Sequence, residues 1–239
     1  RTLVPMPNSI DLKSETARKA KAVLMNWDFS LDSNSIAASI YAMWERKLYS
    51  ESGKRFVPDE LKGLVSIQLN KLISWLQQPD QRFGPDNAKG RDAFLEETFE
   101  LAVKDLTAKL GSDITKWTYG QSKYKHTSLN HPLNAFLSND LKEAYNLGPL
   151  PRGGNSHTPN ATGGTDRQAY GASFRIIVDV ADWDRTLMIN TPGQSADPKS
   201  KYYSNLFELW ARDQYFPAYF SKDRIESNTD YRLILMPAN

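Results

Sequence analysis

Cysteine is absent from this 239-residue chain, which excludes disulfide bonds and thiolate metal sites. No apolar run approaches the roughly 20 residues that a membrane-spanning helix needs. The chain also has no block of like charge, because its 30 Lys and Arg alternate with its 28 Asp and Glu and leave a formal charge of +2. Nucleic acid and membranes are therefore not expected as partners. Hydrophobic content of 40% and charged content of 24% are typical of a soluble globular protein.

Histidine is also scarce, with His126, His131 and His157 as the three examples. Their spacing matches neither His-x-x-x-His nor His-Glu-x-x-His, so no zinc site is indicated. His131 precedes Pro132-Leu133, and we expect it to be a structural residue that hydrogen-bonds a neighbouring loop. His126 and His157 are expected to be solvated.

Familiar nucleophile and phosphate motifs are missing as well. The chain lacks the G-x-S-x-G elbow of serine hydrolases. Ser195 follows Gly193-Gln194, where it is interpreted as a turn residue, and Arg152-Gly-Gly-Asn155 lacks the ending of a P-loop. Asp179 with Asp182, or Asp182 with Asp184, could form an acid–base pair, but Asp182 and Asp184 flank Trp183 and the pattern favours stabilisation of a turn. No catalytic, substrate-binding or metal-binding residue is assigned.

The first half of the chain, residues 1–118, has mainly helical periodicity. Residues 12–26 form one predicted helix, and a second begins after a cap at Asp32 or Ser33. A third helical region starts at Pro58 with a break near Gly63, and a fourth spans 91–110 and ends at Gly111. One apolar stripe is large enough to predict a well-buried second helix, and it comprises Ile36, Ile40, Met43, Trp44 and Leu48. Trp44, Trp75 and Trp210 are interpreted as core residues.

The second half, residues 119–239, contains strand patterns, a Gly-rich loop and a C-terminal helix. A strand is expected near 123–129, and residues 146–166, with five glycines and three prolines, are expected to be loop. Alternation predicts strands over 173–180 and 186–190, with the turn at 182–184 between them. Leu206–Trp210 reads as helix and Tyr231–Leu235 as a last strand.

Five sequence blocks in order resemble the penicillin amidase (penicillin acylase) family of N-terminal nucleophile hydrolases. The first block is Trp27-Asp28 with Asp32-Ser33, Ala37-Ala38 and Trp44 (family pattern WD…DS.AA…W), and the second is Trp117–Gly120 with His126 and His131–Leu133 (W.WG..H…..HPL). The third runs from Leu150–Asn155 through Asn160 (GG..T.N), and the fourth is Gly171–Arg175 (GAS.R). The fifth is Asn190–Ser195 with Asp197-Pro198 and Tyr202 (PGQSG.P.S.HY). The chain departs from the last pattern at Ala196, which replaces a glycine, and at Lys201, which replaces a histidine. The similarity covers nearly the whole chain.

The resemblance implies an α+β fold that is part of an αββα sandwich of two stacked antiparallel sheets. It also implies acyl transfer, in which the N-terminal Ser of a β chain attacks a secondary amide, its own amine acts as base, and an Asn with backbone N–H groups holds the oxyanion. In the family these groups and the calcium ligands precede the region matched here. Within this chain, Gly153, Gly154 and Gly193 are expected to permit close turns, and Arg175 is expected to pair with Asp179.

The resemblance further suggests that residues 1–239 are the C-terminal portion of a β chain. Arg1 cannot act as the N-terminal nucleophile, since its guanidinium stays protonated. The expected partners are an upstream α chain and the N-terminal part of the β chain, matured from a zymogen, together with a small-molecule amide such as a β-lactam side chain or an N-acyl-homoserine lactone. Bacterial periplasm or secretion is expected, with calcium possible in the full enzyme. The alternative is a non-catalytic structural or binding fragment of an inactive family member.

Overall fold

The computed structural model describes residues 2–237 and divides them into two compact units, which meet in sequence between His126 and Thr127. Arg1, on which the argument about the nucleophile depends, lies outside the described residues. The helices are α1 (Glu15–Met25), α2 (Ile36–Phe56), α3 (Leu69–Gln77), α4 (Asn87–Leu110), α5 (Asn139–Tyr145), α6 (Phe207–Ala211) and α7 (Lys222–Ser227). The strands are β1 (His126–Leu129), β2 (Leu147–Pro151), β3 (Phe174–Ile177), β4 (Leu187–Asn190) and β5 (Phe216–Pro217). The predicted mixture of helix and sheet is confirmed.

The N-terminal unit is built on the packing of α2 against α4, with α1 against both. The predicted stripe of α2 is buried from Ile40 to Leu48, where Ile40, Trp44 and Leu48 have no exposed surface, and Ile36 at its start is half-buried. Trp44 lies edge-on to Phe99 of α4 at 5.6 Å between ring centroids. Its indole N–H donates to Thr98 Oγ1 at 3.2 Å, so the one polar atom of this buried side chain is satisfied. Trp75 is half-buried at the margin of the same core.

The C-terminal unit contains two small sheets and a second, smaller core. β1 pairs with β2, while β3, β4 and β5 form an antiparallel sheet in that order. The second core contains Ile189 of β4 together with Phe207, Trp210 and Ala211 of α6, and Leu147 and Leu150 of β2 pack against them.

Short 3₁₀ turns connect elements in both units, at Met6–Ser9, Asp59–Leu61, Gln81–Phe83, Ile114–Lys116, Asn134–Phe136 and Trp183–Arg185. No helix within residues 2–237 is long and apolar enough to cross a membrane.

Two predicted details of the helical region are corrected. Ser35, rather than Asp32 or Ser33, caps α2, because its side chain accepts from the N–H of Ala38 at 3.1 Å. Asp32 instead accepts from the N–H of Asn34 within the preceding turn. The region after Pro58 forms a single 3₁₀ turn, and α3 starts only at Leu69, so the interruption near Gly63 is longer than the periodicity suggested.

Three predictions about the second half are also wrong in part. Residues 146–166 are not all loop, since Leu147–Pro151 is β2; its glycine and prolines concealed a strand that pairs through the backbone with β1. β3 stops at Ile177 rather than at residue 180. The segment Tyr231–Leu235 forms no ladder with any described residue, and its tyrosine and aliphatic side chains are more than seven-tenths exposed. High strand propensity alone does not make a strand, because a ladder needs a neighbour.

Candidate functional site

The first sequence block and the Trp117–Gly120 part of the second meet in the N-terminal unit. The indole N–H of Trp27 donates to the carbonyl of Ser30 at 2.9 Å and closes the Trp-Asp turn. The N–H of Tyr119 donates to the carbonyl of Ser35, the residue that caps α2. Trp117 is fully buried, and its indole N–H donates to Gly111. All of these contacts hold backbone turns in place, so the first blocks act as scaffold here.

The third and fourth blocks meet in the C-terminal unit around one carboxylate, that of Asp213. Arg152, which precedes the Gly-Gly pair, has no exposed surface and donates through Nη1 to Asp213 Oδ1 at 3.1 Å. Arg175 of β3 also donates to Oδ1 of Asp213. Asn160 of the Gly-rich loop donates to its Oδ2 at 3.1 Å. We call Arg152, Arg175, Asn160 and Asp213 the Asp213 cluster.

The Asp213 cluster also closes the C-terminal end of α6. Arg152 Nη1 donates to the carbonyls of Trp210 at 2.6 Å and Ala211 at 2.9 Å, and Arg175 Nη2 donates to Trp210 at 3.1 Å. The Arg152 guanidinium lies 4.2 Å from the centre of the Trp210 ring, a cation–π distance. Positive groups at a helix C-terminus complement its partial negative charge. Two cations thus share one carboxylate and one helix end.

Burial is the main influence on the pKa of the Arg152 guanidinium. It lowers the pKa of the Arg152 guanidinium from its usual value, the carboxylate of Asp213 opposes that change, and the positive charge of Arg175 adds to it. A guanidinium remains protonated throughout the accessible pH range, so the cluster holds a buried positive charge that Asp213 must balance.

Arg175 therefore does not pair with Asp179, as the sequence had suggested. Asp179 lies 3.5 Å from Arg185 and accepts from the N–H of Ala181, both within the β3–β4 connection. Alternation along β3 turns Arg175 toward α6, where Asp213 is available. Asp213 itself was not singled out in the sequence. The signal available in the sequence was a carboxylate directly after an aromatic helical stretch, and the structure gives Asp213 a backbone φ of 55°, which Asp tolerates better than most residues.

The glycine predictions agree with the structure at two positions. Gly154 has a φ of +80°, and a Cβ there would overlap the side-chain amide of Asn160. A Cβ on Gly193 would overlap the carbonyls of Tyr202 and Tyr203, which pass directly over the Pro-Gly turn. The N–H groups of Gln194 and Ser195 both donate to the Tyr202 carbonyl, at 2.8 and 3.1 Å. These glycines allow backbone segments to approach closely.

The remaining candidate residues have local structural roles. Ser195 Oγ accepts from the N–H of Asp197 at 3.1 Å, which is the turn role expected of it. Asp182 accepts from the N–H of Asp184, and Asp184 accepts from the N–H groups of Phe220 and Ser221, both at 2.8 Å. These last two hydrogen bonds, Ser221 foremost, lower the pKa of the Asp184 carboxyl.

The histidines divide between structural and exposed positions. His131 Nδ1 accepts from the N–H of Leu133 at 3.2 Å, and its ring packs edge-on against Tyr145, as expected of a structural residue. His157 is exposed, as expected. His126 is half-buried instead of solvated, because it opens β1. Within residues 2–237, no three His, Cys, Asp or Glu side chains are grouped so that they could hold a metal ion.

Comparison with known proteins places these features in a family. The penicillin amidase family model matches residues 1–227. The acyl-homoserine lactone acylase QuiP of Pseudomonas syringae pv. tomato is 29% identical, over 98% of this chain and 30% of the relative. The penicillin acylase 2 proenzyme of Pseudomonas sp. (strain SE83) is 26% identical, over 93% of this chain and 29% of the relative. The chain thus spans about 30% of the length of these curated relatives.

A solved structure agrees at the level of the fold. The thermostable penicillin G acylase from Alcaligenes faecalis aligns with 98% of this chain and 45% of its own, with a TM-score of 0.50 and 16% identity. The family resemblance read from the five sequence blocks is therefore confirmed, and the chain belongs to the penicillin amidase family.

Proposed function

We propose that this chain is one part of an amide hydrolase that cleaves a secondary amide, such as the acyl side chain of a β-lactam or of an N-acyl-homoserine lactone. The family match over residues 1–227 carries the proposal. It is supported by relatives that are named acyl-homoserine lactone acylase and penicillin acylase. The chemistry we propose is acyl transfer to an N-terminal serine on polypeptide outside this chain.

The proposed reaction has two steps. The serine Oγ attacks the amide carbon while its own α-amine takes the proton, and an Asn with backbone N–H groups stabilises the oxyanion. The leaving amine takes the proton as the C–N bond breaks, and water then hydrolyses the acyl-enzyme. The residues described here contribute scaffold, since the Asp213 cluster and the Pro192-Gly193 turn fix the ends of β3, β4 and α6.

The finer structural and cellular features of the enzyme are part of the same proposal. The two sheets of the C-terminal unit would contribute strands to an αββα sandwich whose other strands come from an upstream α chain and the N-terminal part of the β chain. The enzyme would be exported to the periplasm or beyond after maturation of a zymogen. Calcium, if bound, would be held by the upstream polypeptide.

Activity measurements on the assembled enzyme and on this chain alone test the proposal. The assembly, purified from its source, is expected to hydrolyse phenylacetyl amides or N-acyl-homoserine lactones. The refolded chain alone is expected to show no turnover. Substantial turnover by the pure chain would place the nucleophile within residues 1–239. An assembly that is folded, mature and inactive on both substrate classes would favour the non-catalytic alternative.

Replacing Ser195 by alanine in the assembled enzyme is expected to leave the turnover rate within a few-fold of the original. The alanine variant lacks the hydrogen bond that Ser195 Oγ accepts from the N–H of Asp197, which contributes roughly 1 kcal/mol to the unfolding free energy at most. Ser204→Ala is a suitable control, since Ser204 is exposed on the same loop. A thousandfold loss of kcat with the fold intact would place Ser195 at the reacting centre instead.

A further inference from the structure

A cleft of about 1000 Å³ lies in the C-terminal unit, between the loop that follows β4 and the segment that follows α7. Small-molecule sites in proteins have volumes of about 300–1000 Å³, so the cleft has room for a ligand built on a substituted ring. Leu206 and Phe216 form its apolar part, and both pack against the second core. The apolar part of the cleft is therefore supported from behind.

The wall formed by the loop is held by backbone hydrogen bonds. The N–H groups of Gln194 and Ser195 both donate to the carbonyl of Tyr202, and the N–H of Leu206 donates to the carbonyl of Pro192 at 3.0 Å. The side chains of this wall are therefore presented on a preformed surface, which lowers the entropic cost of binding a ligand.

The side chains that line the cleft favour a positively charged ligand. Among the described residues that line it, Asp230 carries a charge and none is a cation. The Asp230 carboxylate forms no ion pair or hydrogen bond with any residue of 2–237. The rings of Tyr202 and Tyr231, which are 43% and 87% exposed, line the same cleft. Carboxylates and the faces of tyrosine rings both attract ammonium groups.

Lys201, which is exposed beside the cleft, shows how an ammonium group is held there. Its Nζ lies 4.8 Å from the centre of the Tyr202 ring, a cation–π distance. A hydrogen bond to Tyr202 foremost, and the charge of Asp230 in addition, raise the pKa of the Lys201 ammonium. Because Lys201 is exposed and has a long flexible side chain, a ligand can displace its ammonium from this position.

We propose that this cleft binds an organic cation, a primary ammonium group attached to an apolar or aromatic ring. The ammonium would lie between the Asp230 carboxylate and a tyrosine ring, and the ring of the ligand would lie against Leu206 and Phe216. The amides of Gln194 and Asn205 would hydrogen-bond polar substituents of the ligand. The proposal does not rest on the proposed function, because it concerns binding to residues of the C-terminal unit and not turnover.

Photolabelling of the assembled enzyme with 4-azidophenethylammonium locates the site. Mass spectrometry is expected to find the label within residues 194–206 or 229–231, and an excess of 2-phenylethylammonium is expected to prevent it. The uncharged match, 4-azidophenethyl alcohol, is expected to label these peptides at least about fivefold less, because it lacks the attraction to Asp230. Equal labelling by the two probes, or no label in either range, would overturn the proposal.

Asp230→Asn in the assembled enzyme is expected to raise the 4-azidophenethylammonium concentration for half-maximal labelling of these peptides at least about fivefold. Asp223→Asn is the matched control, since it removes an exposed carboxylate of α7 that does not line the cleft. It is expected to change that concentration by less than about twofold. Equal effects of the two variants would assign the labelling to general surface charge and would contradict the proposal.

Lys201→Met is expected to act in the opposite direction. It removes the ammonium that competes for Tyr202 and Asp230, so half-maximal labelling should need about twofold less probe or lower still. Lys201→Arg keeps the positive charge and is expected to leave the concentration nearly unchanged. Weaker labelling of the methionine variant would show that the ligand needs the lysine, which an ammonium ligand does not. Asp230 and Lys201 are both exposed, so these variants are expected to fold.

Discussion

Asp213→Ala is expected to lower the unfolding free energy of the C-terminal unit by about 2 kcal/mol, less than for a fully buried pair because the Asp213 side chain is 42% exposed. The substitution leaves the guanidinium of Arg152, which has no exposed surface, and that of Arg175, 9% exposed, without their shared carboxylate. Removing one partner of a buried ion pair is far more costly than removing both, because the remaining charge is not solvated. Alanine at a φ of 55° adds backbone strain of roughly 1 kcal/mol.

Two variants accompany this measurement, made by urea unfolding with tryptophan fluorescence. Asp213→Asn keeps an acceptor and tolerates the left-handed backbone, so the difference between Asn and Ala separates charge from hydrogen bonding and strain. Arg212→Ala removes an exposed pair with Glu208, each 62% exposed, and is expected to change the unfolding free energy by less than about 1 kcal/mol. A loss below 1 kcal/mol for Asp213→Ala at an unchanged m-value would show that solvent already balances the two cations.

Gly90→Ala in α4 is expected to destabilise the N-terminal unit by about 3 kcal/mol, although alanine normally favours a helix. A Cβ at Gly90 would overlap the backbone carbonyl of Phe83, and a backbone atom cannot move aside as a flexible side chain can. Phe83 is 9% exposed and packs against Phe56 and Phe94, at 5.2 and 5.9 Å between ring centroids. Displacing the 3₁₀ turn at Gln81–Phe83 would therefore disturb this aromatic group.

Gly53→Ala in α2 is the matched control, because it is the same substitution inside a helix with open space around the new methyl group. It is expected to raise the unfolding free energy by roughly 0.5–1 kcal/mol. Thermal or urea unfolding of both variants checks the pair, and equal shifts of the same sign would refute the close approach of Phe83 to α4.

Local periodicity was sufficient to predict the helices of the first half. The apolar residues from Ile36 to Leu48 recur at helical spacing, and this spacing is a property of one short stretch of sequence. The pattern alone therefore predicts a helix with one buried face. The β3–β4 hairpin was equally local, with Asp182 marking its turn. Their exact ends were less accessible, since Ser35 and Ile177 are set by individual hydrogen bonds and pairing partners.

Features that depend on distant residues could not be obtained in this way. β2 contains two prolines and a glycine, and only its pairing with β1 reveals a strand. Tyr231–Leu235 has the composition of a strand but pairs with nothing in the described chain. Arg175 was assigned to the nearest carboxylate in sequence, Asp179, whereas its partner Asp213 lies 38 residues away.

The Asp213 cluster has a consequence for the order of folding. Its hydrogen bonds join residues that are 38, 53 and 61 positions apart along the chain. Closing loops of this length reduces chain entropy before any contact compensates, so such contacts form after the local hairpin and helices. Interactions that form late act mainly on the rate of unfolding and little on the rate of folding. The cluster is therefore expected to slow the unfolding of the C-terminal unit, because its hydrogen bonds must break before α6 can separate from the sheet.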